Sequence, residues 1–144
     1  MLVIARILLT VAALQYGLIP ILVDLSPSHV FHSDWPPHSR FHMVWLLTSS
    51  AGLAVFVTWL VWRPGKQSNQ RLRLACMPGF IVLGGFFVSA MLRQSYGGAL
   101  ADPAHQIMIA GIDGNLFSFS IAMFLQVSGT ALVFAGCLGK TSVI

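Results

Sequence analysis

Glutamate is absent from this chain of 144 residues, aspartate occurs four times, and charged residues make up only 8% of the whole. A soluble domain typically carries roughly 25% charged residues, so a surface wetted on all sides is excluded. With 56% hydrophobic residues and a mean hydropathy of +0.80, the composition is that of an integral membrane protein in a single domain, 1–144. The eight lysines and arginines are scattered along the chain, whereas a nucleic-acid surface needs clustered basic residues; no nucleic-acid partner is expected. Cysteine is equally scarce. Cys76 and Cys137 form no C-x-x-C pair, which removes dithiol redox chemistry. Phosphate-binding glycine loops, a G-x-S-x-G elbow and a C-x-x-C-H haem attachment are also missing.

What is present in quantity is uninterrupted apolar sequence. A hydrocarbon core of about 30 Å is crossed by ~20 apolar residues in a helix, and four stretches qualify: 2–23, 43–62, 74–92 and 114–139. The fold class expected is therefore all-α, a polytopic four-helix membrane bundle. Arg6 interrupts the first stretch close enough to its start to snorkel to the headgroups, and Pro20 is expected to kink its end. That stretch is expected to remain a span and not a cleaved secretory signal, because it exceeds the roughly 7–15 apolar residues of such a segment and no small-x-small pattern follows. Gln15 and Tyr16 within it are expected to face another helix. Glycines 79, 84 and 85 of the third span and the Ala131–Ala135–Gly139 ladder of the fourth are expected packing surfaces.

The basic residues set an expected orientation. Arg63, Lys66, Arg71 and Arg73 lie in the short loop after the second span, and Arg6 and Lys140 flank the termini; together they are six of the eight basic residues, against Arg40 and Arg93 on the other side. Positive residues are retained inside, which predicts both termini in the cytoplasm, both long loops facing outward, and a bacterial inner (plasma) membrane as location. Both cysteines then fall at cytoplasmic helix ends, where thiols stay reduced.

On this topology every ionisable acid and every histidine falls on the outer side: Asp24, Asp34, Asp102 and Asp113, with His29, His32, His38, His42 and His105. Four of the five histidines fall within fourteen residues, His29 to His42, H-V-F-H-S-D-W-P-P-H-S-R-F-H. Asp34 is a good N-cap type and Pro36-Pro37 suit a first helical turn, so a helix is expected to start there. His38 and His42 then stand at i and i+4, the spacing at which one helix offers two imidazoles to a metal. His29, His32 and Asp34 are candidates for further ligands from the preceding loop. Imidazole with carboxylate suits zinc, iron or copper. Two other readings stay open: histidines bonded to loop carbonyls at the membrane interface, and a metal-free acid–base or pH-sensing cluster. Asp113, between apolar runs, is expected at the membrane boundary with Arg93 as ion-pair partner. Asp24 is expected to converge with them, and Tyr16 to share its helical face.

The segment His29-x-x-His32-x-Asp34-Trp35-Pro36-Pro37-His38-x-Arg40-Phe41-His42 resembles the signature of a group of small four-helix membrane proteins described as domains of unknown function. The resemblance implies an integral membrane protein in which the Trp-Pro-Pro-His segment matters, and it implies no activity. The function expected from the residues is that of a small membrane enzyme acting on a hydrophobic or lipid-like substrate drawn from the bilayer. In it His29, His32, His38 and His42 hold a divalent transition metal, and Asp34, Asp113 and His105 orient ligands or shuttle protons. The rival expectation is a non-catalytic metal-binding or accessory subunit whose outer loop docks a partner.

Overall fold

The computed structural model describes residues 1–102 and 105–138. The expected end of the fourth span at Gly139, the flanking Lys140, and Pro103 and Ala104 of the second long loop lie outside the described residues. Four helical segments are long and apolar enough to cross a membrane: Leu2–Asp24, Pro37–Trp62, Ser68–Tyr96 and Gly114–Cys137. The second and third begin six residues earlier than the uncharged runs from which the spans were expected. Helix geometry continues through His38, Arg40, Arg71 and Arg73, whose long or polar side chains reach the headgroup zone and need not end the helix.

The first segment is two helices, α1 (Leu2–Gly17) and α2 (Ile19–Asp24), with Leu18 between them. Pro20 is the cause, as expected, since it has no N–H for the carbonyl four residues back and its ring crowds that turn. Helices α3 (Pro37–Trp62), α4 (Ser68–Leu92) and α5 (Gly114–Leu138) complete the bundle, in which α1 packs between α3 and α5, and α4 closes the ring between the same two. After α4 come a short 3-10 turn (Arg93–Tyr96) and an antiparallel hairpin of β1 (Met108–Ile109) and β2 (Ile112–Asp113). Its two turn residues, Ala110 and Gly111, both have positive φ, 50° and 79°, as a tight hairpin of this twist demands.

Burial is lopsided along the bundle. The buried residues of α3 run from Leu47 to Val61 and those of α4 from Leu72 to Leu83, and α2 has none. The core thus fills the half that carries Arg6 and the 63–73 loop, here the arginine end. Small residues make that half tight. A Cβ on Gly17 would collide with Ala54 Cβ, and one on Gly129 or Gly136 would press on Leu9 or Leu2, the close approach by which membrane helices gain dispersion contact. Polar clasps join the same end: Arg6 Nη2 donates to Ser68 Oγ at 2.7 Å, Trp62 Nε1 to Thr10 Oγ1 at 2.9 Å, and Arg71 Nη2 to the carbonyls of Arg63 and Pro64 at 3.1 and 3.0 Å.

The packing surfaces differ in part from those expected. Ala131 and Ala135 are exposed; α5 instead buries Ala122, Gln126, Val133 and Cys137. In a helix apolar all round, lipid-facing and core-facing residues look alike, so the small-residue ladder misassigns the face. Of the three glycines in α4, only Gly79 meets a neighbour. It makes room for the Gln126 amide, which donates to Cys76 O at 2.8 Å, two residues before the intrahelical Pro78. Gly79→Ala would drive a methyl into that amide and is expected to destabilise the bundle by about 1–3 kcal/mol. Gly84→Ala, with open space around its Cβ, should be neutral or gain stability. Thermal unfolding of the two variants in detergent checks the contrast, and equal losses would refute it.

Candidate functional site

At the opposite, histidine end the chain must turn back from α2 to α3 within twelve residues, 25–36. It does so through turns centred on Ser26, whose carbonyl accepts from His29 and Phe31 N–H at 3.1 and 3.0 Å, while Asp24 O accepts from Val30 N–H at 3.0 Å. Val30 is buried and anchors the loop. From the start of α3, Arg40 Nη2 donates to His32 O at 2.7 Å and Ser33 O at 3.4 Å and holds the rest of the loop down.

This path lays His29 over the end of α2. Its Nε2 lies 3.7 Å from Asp24 Oδ1, and its Nδ1 lies 2.9 Å from Ser28 Oγ, itself 2.9 Å from Ser26 Oγ. The Asp24 contact, at 3.7 Å, is longer than a hydrogen bond, and the hydroxyl of Ser28 is the group bonded to the ring. Trp35 stands edge-on to the imidazole at 6.5 Å between ring centroids.

Asp24, Ser28 and His29 border a cavity of about 910 Å³ that occupies the unfilled half of the bundle between α3 and α4. Its walls are apolar, with Leu46 and Leu53 from α3, Ile81 and Phe86 from α4, and Phe119 from α5. Its ionisable acids and histidine gather toward the loops, where Asn115 and Asp102 join the Asp24–His29 pair, while Ser49 and Ser50 line it at the middle of α3. Tyr16, 1% exposed, lines the same space, and its hydroxyl has no hydrogen-bond partner among the described residues. Neighbouring Gln15 is satisfied by α5, its Nε2 donating to Ser118 O at 2.6 Å, so both polar residues of the first span face protein, as expected.

The other residues singled out by sequence scatter. His38 and His42 approach each other, Nε2 to Nε2, at 3.0 Å on an exposed face of α3 outside the cavity. His32 Nδ1 accepts from Asp34 N–H at 3.2 Å, and the Asp34 carboxylate accepts from Ser33 Oγ at 3.0 Å. His105 pairs with Asp102 at 3.2 Å. Among the described residues no group of three or more His, Cys, Asp or Glu is placed to hold a metal: the turns at Ser26 send His29 to Asp24, away from His38 and His42. Asp34 is not the N-cap expected of it. That position is held by Pro36, and Pro37 begins the helix without a side-chain cap.

Asp113 also differs from expectation. Arg93 Nη1 donates to Ala90 O at 2.6 Å, within its own helix end, and no ion pair joins the two. Asp113 Oδ1 instead accepts from the N–H groups of Asn115 and Leu116 at 2.9 and 3.3 Å, the two donors that an N-cap satisfies. Oδ2 receives Gln106 Nε2 at 3.4 Å. The signal was present in Asp113-Gly114-Asn115 ahead of an apolar run, as was Ser26-Pro27-Ser28 for the turn that places His29. Ser28 and Asn115 were not foreseen as site residues. The cavity itself had no sequence signal.

The capping role predicts that Asp113→Ala costs about 0.5–2 kcal/mol and that Asp113→Ser costs less. In a double-mutant cycle with Arg93→Gln, measured by thermal unfolding in detergent, the two effects should add within ~0.5 kcal/mol. Strong coupling would restore the ion pair. No curated protein and no solved structure matches the chain. Residues 8–134 match the family of unknown function DUF6640, and over that length, nearly all of its four spans, the chain belongs to this family.

Proposed function

We propose that this protein is a small membrane enzyme that admits a hydrophobic, lipid-like molecule from the bilayer into the cavity between α3 and α4 and performs proton transfer at its polar end. The observation that carries this reading is the meeting of an apolar-walled cavity of about 910 Å³ with the Asp24–His29–Ser28 chain. Ligand sites are of this size, roughly 300–1,000 Å³, and are mostly apolar with a few polar groups that fix orientation. His29 is the base, receiving a proton at Nδ1 through the Ser28 hydroxyl, and Asp24 stabilises the imidazolium that results. The unpartnered Tyr16 hydroxyl supplies a donor for an oxygen deeper on the ligand, where a buried polar group otherwise goes unsatisfied. In the plasma membrane the histidine end faces outward, a reading supported by the gathering of Arg6, Arg63, Lys66, Arg71 and Arg73 at the opposite end.

Binding and chemistry separate in experiment. In vesicles of phosphatidylethanolamine and phosphatidylglycerol containing a diazirine-bearing phospholipid, crosslinks should concentrate on peptides bearing Leu46, Leu53, Ile81 and Phe86. Gly85 lines the cavity with free space at its Cβ, and Gly85→Trp should suppress those crosslinks. Labelling spread evenly over outward-facing Val55 and Phe124, and indifferent to Gly85→Trp, would refute the cavity as a ligand site. His29→Ala should leave crosslinking intact and lower turnover by ~10²–10⁴-fold once a substrate is in hand.

Orientation has its own check. A membrane-impermeant thiol reagent applied to intact cells should modify Ser33→Cys and not Gln67→Cys. The reverse pattern would invert the orientation.

A further inference from the structure

The cavity leaves two histidines unused. His38 and His42 sit one turn apart in the first turns of α3, both exposed, with ring centroids 4.4 Å apart and planes at 85°. Their Nε2 atoms lie 3.0 Å apart. Bonds of ~2.0–2.1 Å to a shared metal ion require two nitrogens at roughly this separation, between about 2.9 Å for a right-angled pair and about 3.4 Å for a tetrahedral one. In the metal-free pair one Nε2 donates to the other across this separation, and a metal ion held at the same bite takes the place of the shared proton. Arg40, two residues from each and so on another side of the helix, donates to the carbonyls of His32 and Ser33, and the Asp34 N–H donates to His32 Nδ1. His42 also stacks on Trp45, 5.9 Å between centroids and 29° between planes.

We propose that His38 and His42 form a two-imidazole chelating site for a divalent first-row transition metal at the membrane surface, separate from the cavity. Two nitrogens fill half of a tetrahedral shell, and no third His, Cys, Asp or Glu among the described residues completes it. The remaining positions are open to water or to a small ligand. Affinity follows the order usual for imidazole donors, with copper(II) above nickel and zinc. The site narrows the metal-ligand set to two histidines and excludes His29 and His32. It rests on the Nε2–Nε2 geometry alone and stands whether or not the cavity binds a lipid.

The test uses the full chain in detergent, stripped of metal and titrated with substoichiometric copper(II). Electron paramagnetic resonance should show hyperfine structure from two imidazole nitrogens, and Trp45 emission should be quenched in step. Because both side chains are exposed, His38→Ala and His42→Ala are expected to fold as the parent does, and each should lose the two-nitrogen signature. Trp45→Phe should keep that signature and lose the quenching. His29→Ala and His32→Ala should change neither. A parent spectrum without two-nitrogen coordination overturns the proposal. So does a signature that survives His38→Ala, or one that His29→Ala abolishes.

Discussion

Inside a bilayer no water is present to satisfy a backbone N–H or C=O, so each must be paired within the protein. That requirement makes all four spans helical and dictates where irregularity can occur. Pro20 removes one donor from the first span, and the ladder resumes across the gap, with Leu18 N–H donating to Leu14 O at 2.8 Å and Leu22 N–H to Leu18 O at 3.2 Å. Pro78 removes another donor within α4, and beside it a buried glutamine side chain reaches in from α5. Each proline has a glycine nearby, Gly17 and Gly79, at which a neighbouring helix comes close.

The same closeness shapes the cavity. Pairing α1 with α3 at Gly17 and with α5 at Gly129 and Gly136 draws the arginine end tight, and the polar clasps of Arg6, Trp62 and Arg71 hold it there. Beyond Gly17 the first span breaks and α2 buries nothing. The histidine half is consequently held by its loops: Arg40 fastens residues 32–33, and Asn115 Nδ2 donates to Leu100 O at 2.7 Å. Loops span a gap more readily than they fill one, and the unfilled space is the cavity. A tight end and an open end are thus two results of one packing arrangement.

The extent to which this was legible in sequence follows from the chemistry. The spans were legible because burial in hydrocarbon forbids charge, and the break at Pro20 because a missing N–H has a local effect. The segregation of histidine and aspartate to one end of the bundle was legible for the same reason. Which face of a span meets protein was not: with Ala131 exposed and Ala122 buried, the apolar pattern contains no distinction to read. The separation of His29 from His38 and His42 was not legible either, since it depends on turns closed by backbone bonds at Ser26 and on where Arg40 reaches. The Asp113 cap and the Ala110–Gly111 turn had local signals. They were outweighed by the expectation that an acid between apolar runs needs a cation.

Arg40 shows how closely the two polar features of the histidine end are joined. It stands between His38 and His42 in sequence but, two residues from each, on another side of the helix, and its guanidinium crosses to the loop that carries His29 over Asp24. By binding carbonyl dipoles it holds the loop with charge-assisted bonds, which are stronger than neutral ones. The turn of α3 that presents the exposed histidine pair on one side thus fastens the loop at the cavity mouth from another. The first turn of α3 is in this way the frame for both.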